Sequence, residues 1–508
     1  MSFDRERMLR SKREFRRDLA KRPISEKLHL MEAMAERALA VREDTSVIVP
    51  DEPWAIPSHW RWARMGDVST VVGGGTPRTD RTEYFGGDVP WITPADLSKY
   101  TEKTISKGAR NISRVGLENS GARLLPAGTV LFSSRAPIGY VAIAANPVAT
   151  NQGFKSFILG DELLPDFVYY YLQRARELAV SLASGTTFLE ISGKNAARLP
   201  IPVPPIDDQR QIVAEIEKQF TRLEAGVTAL KRVQAGLKRY RAAVLKAACQ
   251  GKLVPTEAEL ARKEMRNYET ASDRIGRTEA PPRPNRWKSR CKDVIPGHAA
   301  LAVGNPDTRL PEGWAWAGLA DIARMESGHT PSREHPEWWD GDVAWIGIAD
   351  ARKYDGRVIH DTIQHTNDGG LANSAARLLP EGTVCISRTA SVGYVVVMGK
   401  AMATSQDFVN WAPTSAVTSD WLRVVFSADR EALRRFGKGS VHKTIYFPEW
   451  LSIHVAVPPL AEQKRIVAEL ERRLSVVDGL EAAVSASLQR AARLRQAILQ
   501  RAFVGEAL

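Results

Sequence analysis

Residues 122–130 read ARLLPAGTV and residues 376–384 read ARLLPEGTV, the same phrase 254 positions further on. A coincidence would end at the edges of the phrase, but this register persists. IPSHWRWARMGDV from Ile56 aligns with LPEGWAWAGLADI from Leu310, and TEYFGGDVPWITPADL from Thr82 with PEWWDGDVAWIGIADA from Pro336. TNQGF at Thr150 meets TSQDF at Thr404, VPPIDDQRQIVAEIE at Val203 meets VPPLAEQKRIVAELE at Val457, and Gly251 meets Gly505. One offset from Pro57 to Gly251 means a duplicated unit without net insertion. Whatever fold the chain adopts, it must adopt it twice.

The duplication replaces the roughly three domains that 508 residues would otherwise suggest. Hydrophobic content of 44% and charged content of 26% fit a globular chain with a sizeable core. Three cysteines, Cys249, Cys291 and Cys385, are too widely spaced for a zinc cluster and odd in number for a disulfide framework, which points to a reducing cytoplasm. The opening MSFDRERMLRSKREFRRDLAKR lacks the apolar centre of a secretory signal, and no stretch reaches ~18 apolar residues, so neither export nor membrane insertion is expected. A net charge of +12 makes a polyanion the leading partner, because phosphate contacts release counterions.

Each copy changes character midway. From Ile56 to Pro205, runs such as VLFSS, YVAIA and FKSFIL read as strands between Gly- and Pro-rich turns, interrupted by a helix at Leu164–Ala183, matched by Val417–Phe436. After Pro202–Pro205, Asp207 and Asp208 open a proline-free helix whose apolar residues recur at Ile212, Ile216, Phe220, Leu223, Val227, Leu230, Leu237, Tyr240 and Val244. The second copy repeats the pattern at Ile466, Leu470, Leu474, Val477, Leu480, Val484, Leu488, Ala491, Leu494 and Ile498. Each helix is about 45 residues long, or ~65 Å. Alone, such a helix would leave a wet stripe at ~1.5–3 kcal/mol per large side chain, so each copy supplies the other's partner. Asp207, Asp208, Glu215, Glu217 and Glu224 fill the first half of one helix, while residues 231–252 carry only bases among charged groups; the other helix repeats this gradient. Antiparallel packing sets acidic halves beside basic halves. The expected seam is Ile216, Leu223, Leu230, Leu237 and Val244 against Leu470, Val477, Val484, Leu494 and Ile498. Residues 255–309 read as a linker with a short helix at Glu257–Tyr268, and Ser25–Glu43 as a separate helix of a basic extension, 1–55.

Neither copy contains a catalytic constellation. Gly193-Lys194 lacks the rest of a phosphate loop, and VGGGTP, whose counterpart is ESGHTP, reads as a strand bend beside a binding loop. The Pro-Pro pairs are not of the type an amino-methyltransferase uses. Glu462-Gln463-Lys464 has nuclease-like spacing but opens a helix, and its equivalent is Asp208-Gln209-Arg210, which makes it a capping turn. A single-chain methyltransferase or nuclease is therefore disfavoured; a protein-only coiled-coil scaffold remains the other alternative.

The ordered motifs EYFGGDVPWITPADL, ARLLPAGTVLFSSRAPIGY and PPIDDQRQIVAEIE, leading into a helix that ends LKAACQGKL, resemble the specificity subunits of type I restriction-modification enzymes, in both copies. The resemblance implies an α+β chain of two tandem mixed α/β target recognition domains, each followed by a long helix, the helices packed as an antiparallel coiled coil with pseudo-two-fold symmetry. The expected divisions are 1–55, 56–205, 206–254, 255–309, 310–459 and 460–508. It further implies a non-catalytic protein whose domains each read half of an interrupted double-stranded DNA site. Two modification subunits and the restriction subunits would bind it, and S-adenosylmethionine, ATP and Mg would belong to those partners.

Comparison of the copies separates scaffold from reading residues. Shared Trp60/Trp314, Trp62/Trp316, Trp91/Trp345 and Tyr140/Tyr394 are expected in the core. Loops of equal length but different sequence are expected to meet DNA. RTDR facing SREH offers Arg78, Arg81, Arg333 and His335; SKGARNISR facing HDTIQHTND offers Arg110, Arg114 and His365. SGTTFLEISGK facing KGSVHKTIYFP offers Thr186, Thr187, Lys194, Lys438, Ser440 and Lys443, and Arg135 and Arg388 are expected on phosphate.

Overall fold

The computed structural model describes residues 51–506 except 186–188, 283–294, 297–299, 305, 307, 390 and 437–443. The chain forms two compact units, one ending at Val227 and resuming at Gln489, the other spanning Thr228–Leu488. Sequence repeat and spatial unit therefore differ: each long helix begins in one unit and ends in the other.

In the first unit a five-stranded sheet has the order Ser69–Gly73, Lys155–Leu159, Val130–Phe132, Val141–Ala144, Thr104–Ile105. A three-stranded sheet places Phe85–Ile92 between Arg110–Ile112 and Ala149–Thr150. The second unit repeats both orders, with Ala323–Ser327, Phe408–Pro413, Val384–Ser387, Val395–Met398 and Arg357–Ile359, and with Trp339–Ile346 between Gln364–Thr366 and Ala403–Thr404. Even the irregularities repeat: register shifts between Phe85 and Val89 and between Trp339 and Val343, with left-handed Gly86 (φ +78°) and Asp340 (φ +61°) at the same station. The expected helices over 164–183 and 417–436 each divide, into Pro165–Arg174 with Arg176–Ser181 and Ser419–Ala428 with Arg430–Phe436. Val168, Tyr171 and Leu172 of the first and Trp421, Val425 and Phe426 of the second are buried against their sheets.

The long helices span Ile206–Cys249 and Leu460–Ala502. At their starts the Asp/Glu-Gln dipeptide anchors helix to domain, a larger role than the capping expected of it. Buried Gln209 donates to the carbonyls of Glu162 (2.7 Å) and Pro204 (2.9 Å) and accepts from Leu164 N (2.9 Å). Gln463 does the same with Ala416, Pro458 and Thr418. Beside them Trp60 donates to Asp208 (3.1 Å) and Trp314 to Glu462 (2.8 Å). Gly251 (φ +66°) and Gly505 (φ +75°) close the helices, with the following amides bonded back to Ala247 and Arg501.

The pairing is antiparallel. Arg241 binds Asp478 and Glu481 (3.0 Å) in the second unit, and Arg495 binds Glu224 (3.1 Å) in the first. Ile216, Val244, Leu470, Val477, Val484 and Ile498 are buried, and Leu223, Leu230 and Leu237 half-buried. Leu494 departs from expectation, at 51% exposure, as does Leu480 of the wider stripe. Between the two domain-packed ends of the second helix, buried Leu470, Val477, Val484 and Ile498 fall on one heptad line; a helix facing a single partner leaves the flanking apolar positions in water. Trp62 also lies outside the core, half-buried and edge-on to Trp54, whereas Trp316, half-buried too, packs against the core of its unit and donates to Thr308 O.

Residues 255–309 carry more than one short helix. Thr256 caps Glu257–Glu264, which stops at left-handed Met265 rather than reaching Tyr268, and Thr270 caps Ala271–Arg277. Leu301–Val303 then joins Ile453–Val457 as an antiparallel strand. Composition hid these elements because capping boxes and three-residue strands need few apolar residues. The expected helix Ser25–Glu43 lies outside the described residues.

Candidate nucleic-acid interface

In each unit a buried tryptophan fixes the loop expected to read DNA. Trp91 donates to Gly75 O (3.1 Å) and Trp345 to His329 O (3.0 Å), while Gly75 N and His329 N donate to Thr150 O and Thr404 O. Gly74 and Gly328 are obligatory just before, since a Cβ on either would collide with the carbonyl of Asn151 or Ser405. The expected strand bend is thus a close backbone crossing.

The loops beyond diverge in chemistry. In the first unit Arg78 pairs with Asp80 (2.8 Å), Arg81 with Glu83 (3.7 Å) and Arg114 with Asp88 (3.4 Å), all well exposed, while Arg110 lies over the Phe85 ring at 5.4 Å. The Arg78 hydrogen bond holds the Asp80 carboxyl below its ordinary value. In the second, Arg333 lies 3.7 Å over the Trp339 ring and donates to Gln364 (2.8 Å), and His335 stacks on Trp338 at 4.1 Å with Glu337 on Nδ1 (2.9 Å). His365 binds Asp361 (2.8 Å), whose carboxyl is lowered by that bond and by Lys400. The candidates Arg78, Arg81, Arg110, Arg114, Arg333, His335 and His365 accordingly surround the three-stranded sheet of their own unit.

A second set forms around the turn after Val130–Phe132. Arg135 and Glu190 form an antiparallel backbone bridge and an ion pair (3.4 Å), and Lys155 joins Glu190 from below (3.4 Å). Arg135 also lines a groove of about 800 Å³ together with Thr93, Lys99, Tyr100, Asn151 and Gly153. In the second unit the corresponding bridge joins Thr389 to Thr444, and Arg388 sits half-buried over Phe447 at 4.5 Å. Burial pulls the Arg388 guanidinium below its usual value. Lys194 is exposed on the short helix Gly193–Ala197. Thr186, Thr187, Lys438, Ser440 and Lys443 lie outside the described residues. The sequence does not mark Lys155, Glu190 or the groove: Lys155 differs from its counterpart Val409 but opens the strand Lys155–Leu159, outside the loops, while TNQGF, which gives Asn151 and Gly153 to the groove, resembles its copy, and Glu190 needs the fold to bring it to Arg135.

Ion pairs tie each domain to its helix. Lys103 binds Asp166 and, on the long helix, Glu217 (2.6 Å); burial opposes the Lys103 charge, but these hydrogen bonds outweigh it and raise its pKa. The second unit substitutes Arg423 on Asp420 (3.0 Å) and Glu471 (2.7 Å). Buried Cys249 and Cys385 have thiols pushed up by burial, the opposite of an activated nucleophile. Among the described residues no helix is long and apolar enough to cross a membrane, and no three His, Cys, Asp or Glu side chains cluster as a metal site.

Two units that share the order of their five- and three-stranded sheets, each with its own polar face and a part of each long helix, define a duplicated protein. The family model of the type I restriction modification DNA specificity domain matches residues 57–231 and again 311–490, and the chain belongs to that family. It is 42% identical over 159 residues to the type I restriction enzyme MjaIX specificity subunit of Methanocaldococcus jannaschii, covering 31% of this chain and 37% of that protein. The first alignments span only 37–42% of the relatives' own length. The EcoKI specificity subunit of Escherichia coli K12 is 21% identical over 467 residues, 89% of this chain and 90% of that one. A solved structure described as the basis of complex assembly and conformational transition of the type I R-M system shares the fold, at TM-score 0.65 and 19% identity over 90% of this chain and 100% of that one.

Proposed function

We propose that the chain is the DNA specificity subunit of a type I restriction-modification assembly. Each unit reads one half of an interrupted double-stranded DNA target, and the chain itself performs no chemistry. Two modification subunits bring S-adenosylmethionine to an adenine, and restriction subunits bring ATP-driven cleavage, in the cytoplasm. The observation that carries this reading is the pairing of one repeated scaffold with two different polar faces, one arginine-rich and paired with carboxylates, the other built on Arg333, His335 and His365. Identical faces would read identical half-sites. A net charge of +12 supplies the non-specific attraction to phosphate. Exposed Val233, Tyr240, Val476, Leu480 and Leu494 give the helices apolar surface on which partner subunits can dock.

The test is co-expression with the modification subunit of its own system, followed by methylation-sensitive sequencing of host DNA. An interrupted, asymmetric motif containing methylated adenine, absent without this chain, is expected. A soluble complex that produces no such motif would overturn the proposal in favour of a scaffold that binds protein alone.

A further inference from the structure

The backbone bridge after Val130–Phe132 is the same in both units, but its side chains are not. Thr389 and Thr444 bring their hydroxyls to 2.7 Å, and buried Val409 stands where the first unit has Lys155. The bridge therefore forms without an ion pair, and the charges of Arg135, Glu190 and Lys155 are not what builds it. In the first unit Lys155 is 16% exposed and steadies Glu190 from inside, while Arg135 and Glu190 are 37% and 36% exposed, Arg135 lining the groove. Arg135 Nη1 donates to Glu190 Oε2 at 3.4 Å, which uses one of five guanidinium N–H groups. A fork of donors thus lies next to an acceptor.

We propose that Arg135 and Glu190 together read one G·C base pair of the first half-site, an assignment that rests on the DNA-specificity function above. In the major groove guanine presents two acceptors, O6 and N7, to which an arginine fork is complementary, and its partner cytosine presents an N4 amino donor beside them, which a carboxylate accepts. An A·T pair sets the adenine N6 amino donor where the fork needs an acceptor. The hydroxyl pair of Thr389 and Thr444 can either donate or accept, so the second unit makes no such demand at this station.

The test selects bound sequences from a randomised double-stranded pool with the complex of the full chain and its modification subunits, comparing wild type, Arg135→Ala, Arg135→Lys and Glu190→Gln. The wild-type motif should hold a G·C pair at one position of one half-site. Arg135→Ala and Glu190→Gln should lose preference there by on the order of tenfold or more, and Arg135→Lys by less, since an ammonium still donates to guanine but without the fork, with the remaining positions, the other half-site and the melting temperature unchanged. Unchanged motifs would overturn the assignment. So would wild-type selectivity in Arg135→Ala with affinity lowered alike for every sequence, which marks a phosphate contact, or a uniform loss of affinity with lowered melting, which marks a structural pair. A wild-type complex that selects no sequence would instead overturn the DNA-specificity function itself, and this assignment with it.

Discussion

Glu257 is a carboxylate at 4% exposure, held between Arg266 (2.6 Å) and Arg465 (2.6 Å), with its own amide donating to Glu462 (2.8 Å). Burial alone would raise its pKa, but the hydrogen bonds from Arg465 and Arg266 outweigh burial and hold it below the ordinary 4.5. A depressed folded-state value contributes stability that is complete above the unfolded value and lost as pH falls through the folded one. Glu257→Gln should therefore destabilise the second unit by about 1–3 kcal/mol at neutral pH, a range reduced because both arginines are partly solvated. The difference from wild type should shrink as pH drops below 4.5, as followed by thermal unfolding across the acid range. A pH-independent difference would mean that packing, not charge, causes the loss. Nothing in the sequence marked Glu257, because its partners come from the same helix end and from a helix two hundred residues away.

At the scale of the element, the anchoring glutamines and the helix seam are separable. Gln463→Ala would strand two buried carbonyls and the Thr418 amide, at a cost of about 2–4 kcal/mol. Gln463→Glu should fare no better, since a carboxylate facing the carbonyls of Ala416 and Pro458 has nothing to donate; denaturant unfolding of the two variants checks both. Along the seam, Leu470→Ala at 2% exposure should cost about 2–5 kcal/mol, and Leu494→Ala at 51% should stay within about 0.5 kcal/mol. Equal losses would show that Leu494 is covered in solution. The long helices and their polarity were legible from sequence, because an apolar stripe sustained over about 45 residues, with acids early and bases late, suits little but a long helix laid against an opposed partner. The seam was legible only in part: apolar spacing of three and four locates a face, but which line of that face is covered depends on how wide the partner is. The strand Leu301–Val303 was not legible at all, since three residues in a Pro- and Arg-containing stretch carry no period. Of the candidate interface, the loops around the three-stranded sheets stand out on comparing copies, whereas Lys155 opens a strand, where one lysine against Val409 carries no loop signal.

For the whole molecule, the decisive fact is that residues 489–508 belong with the first unit. Phe503 is fully buried, its ring edge-on to Phe167 at 5.2 Å and Tyr171 at 5.4 Å, its carbonyl accepting from Trp54 (2.8 Å). Phe503→Ala should cost about 3–5 kcal/mol, and hydrogen exchange should show the loss over residues 51–227, not over the nearer-in-sequence 310–488. Loss confined to 310–488 would contradict the division of the chain into these units.

The same arrangement sets an order of events at the ribosome. Domains generally fold as they emerge, the earliest first, at about 5–20 residues per second. Here the stretch that begins first is finished last: residues 228–488 can emerge and close upon themselves before Ile498, Leu499 and Phe503 exist to complete the core around Phe167. A nascent chain therefore waits with its earliest half open, exposing apolar surface to chaperones, until nearly all of these residues have been made. A ribosome that stalls after residue 488 releases a polypeptide with one finished unit and one whose core around Phe167 is still open, a target for chaperones and proteases rather than a smaller working protein.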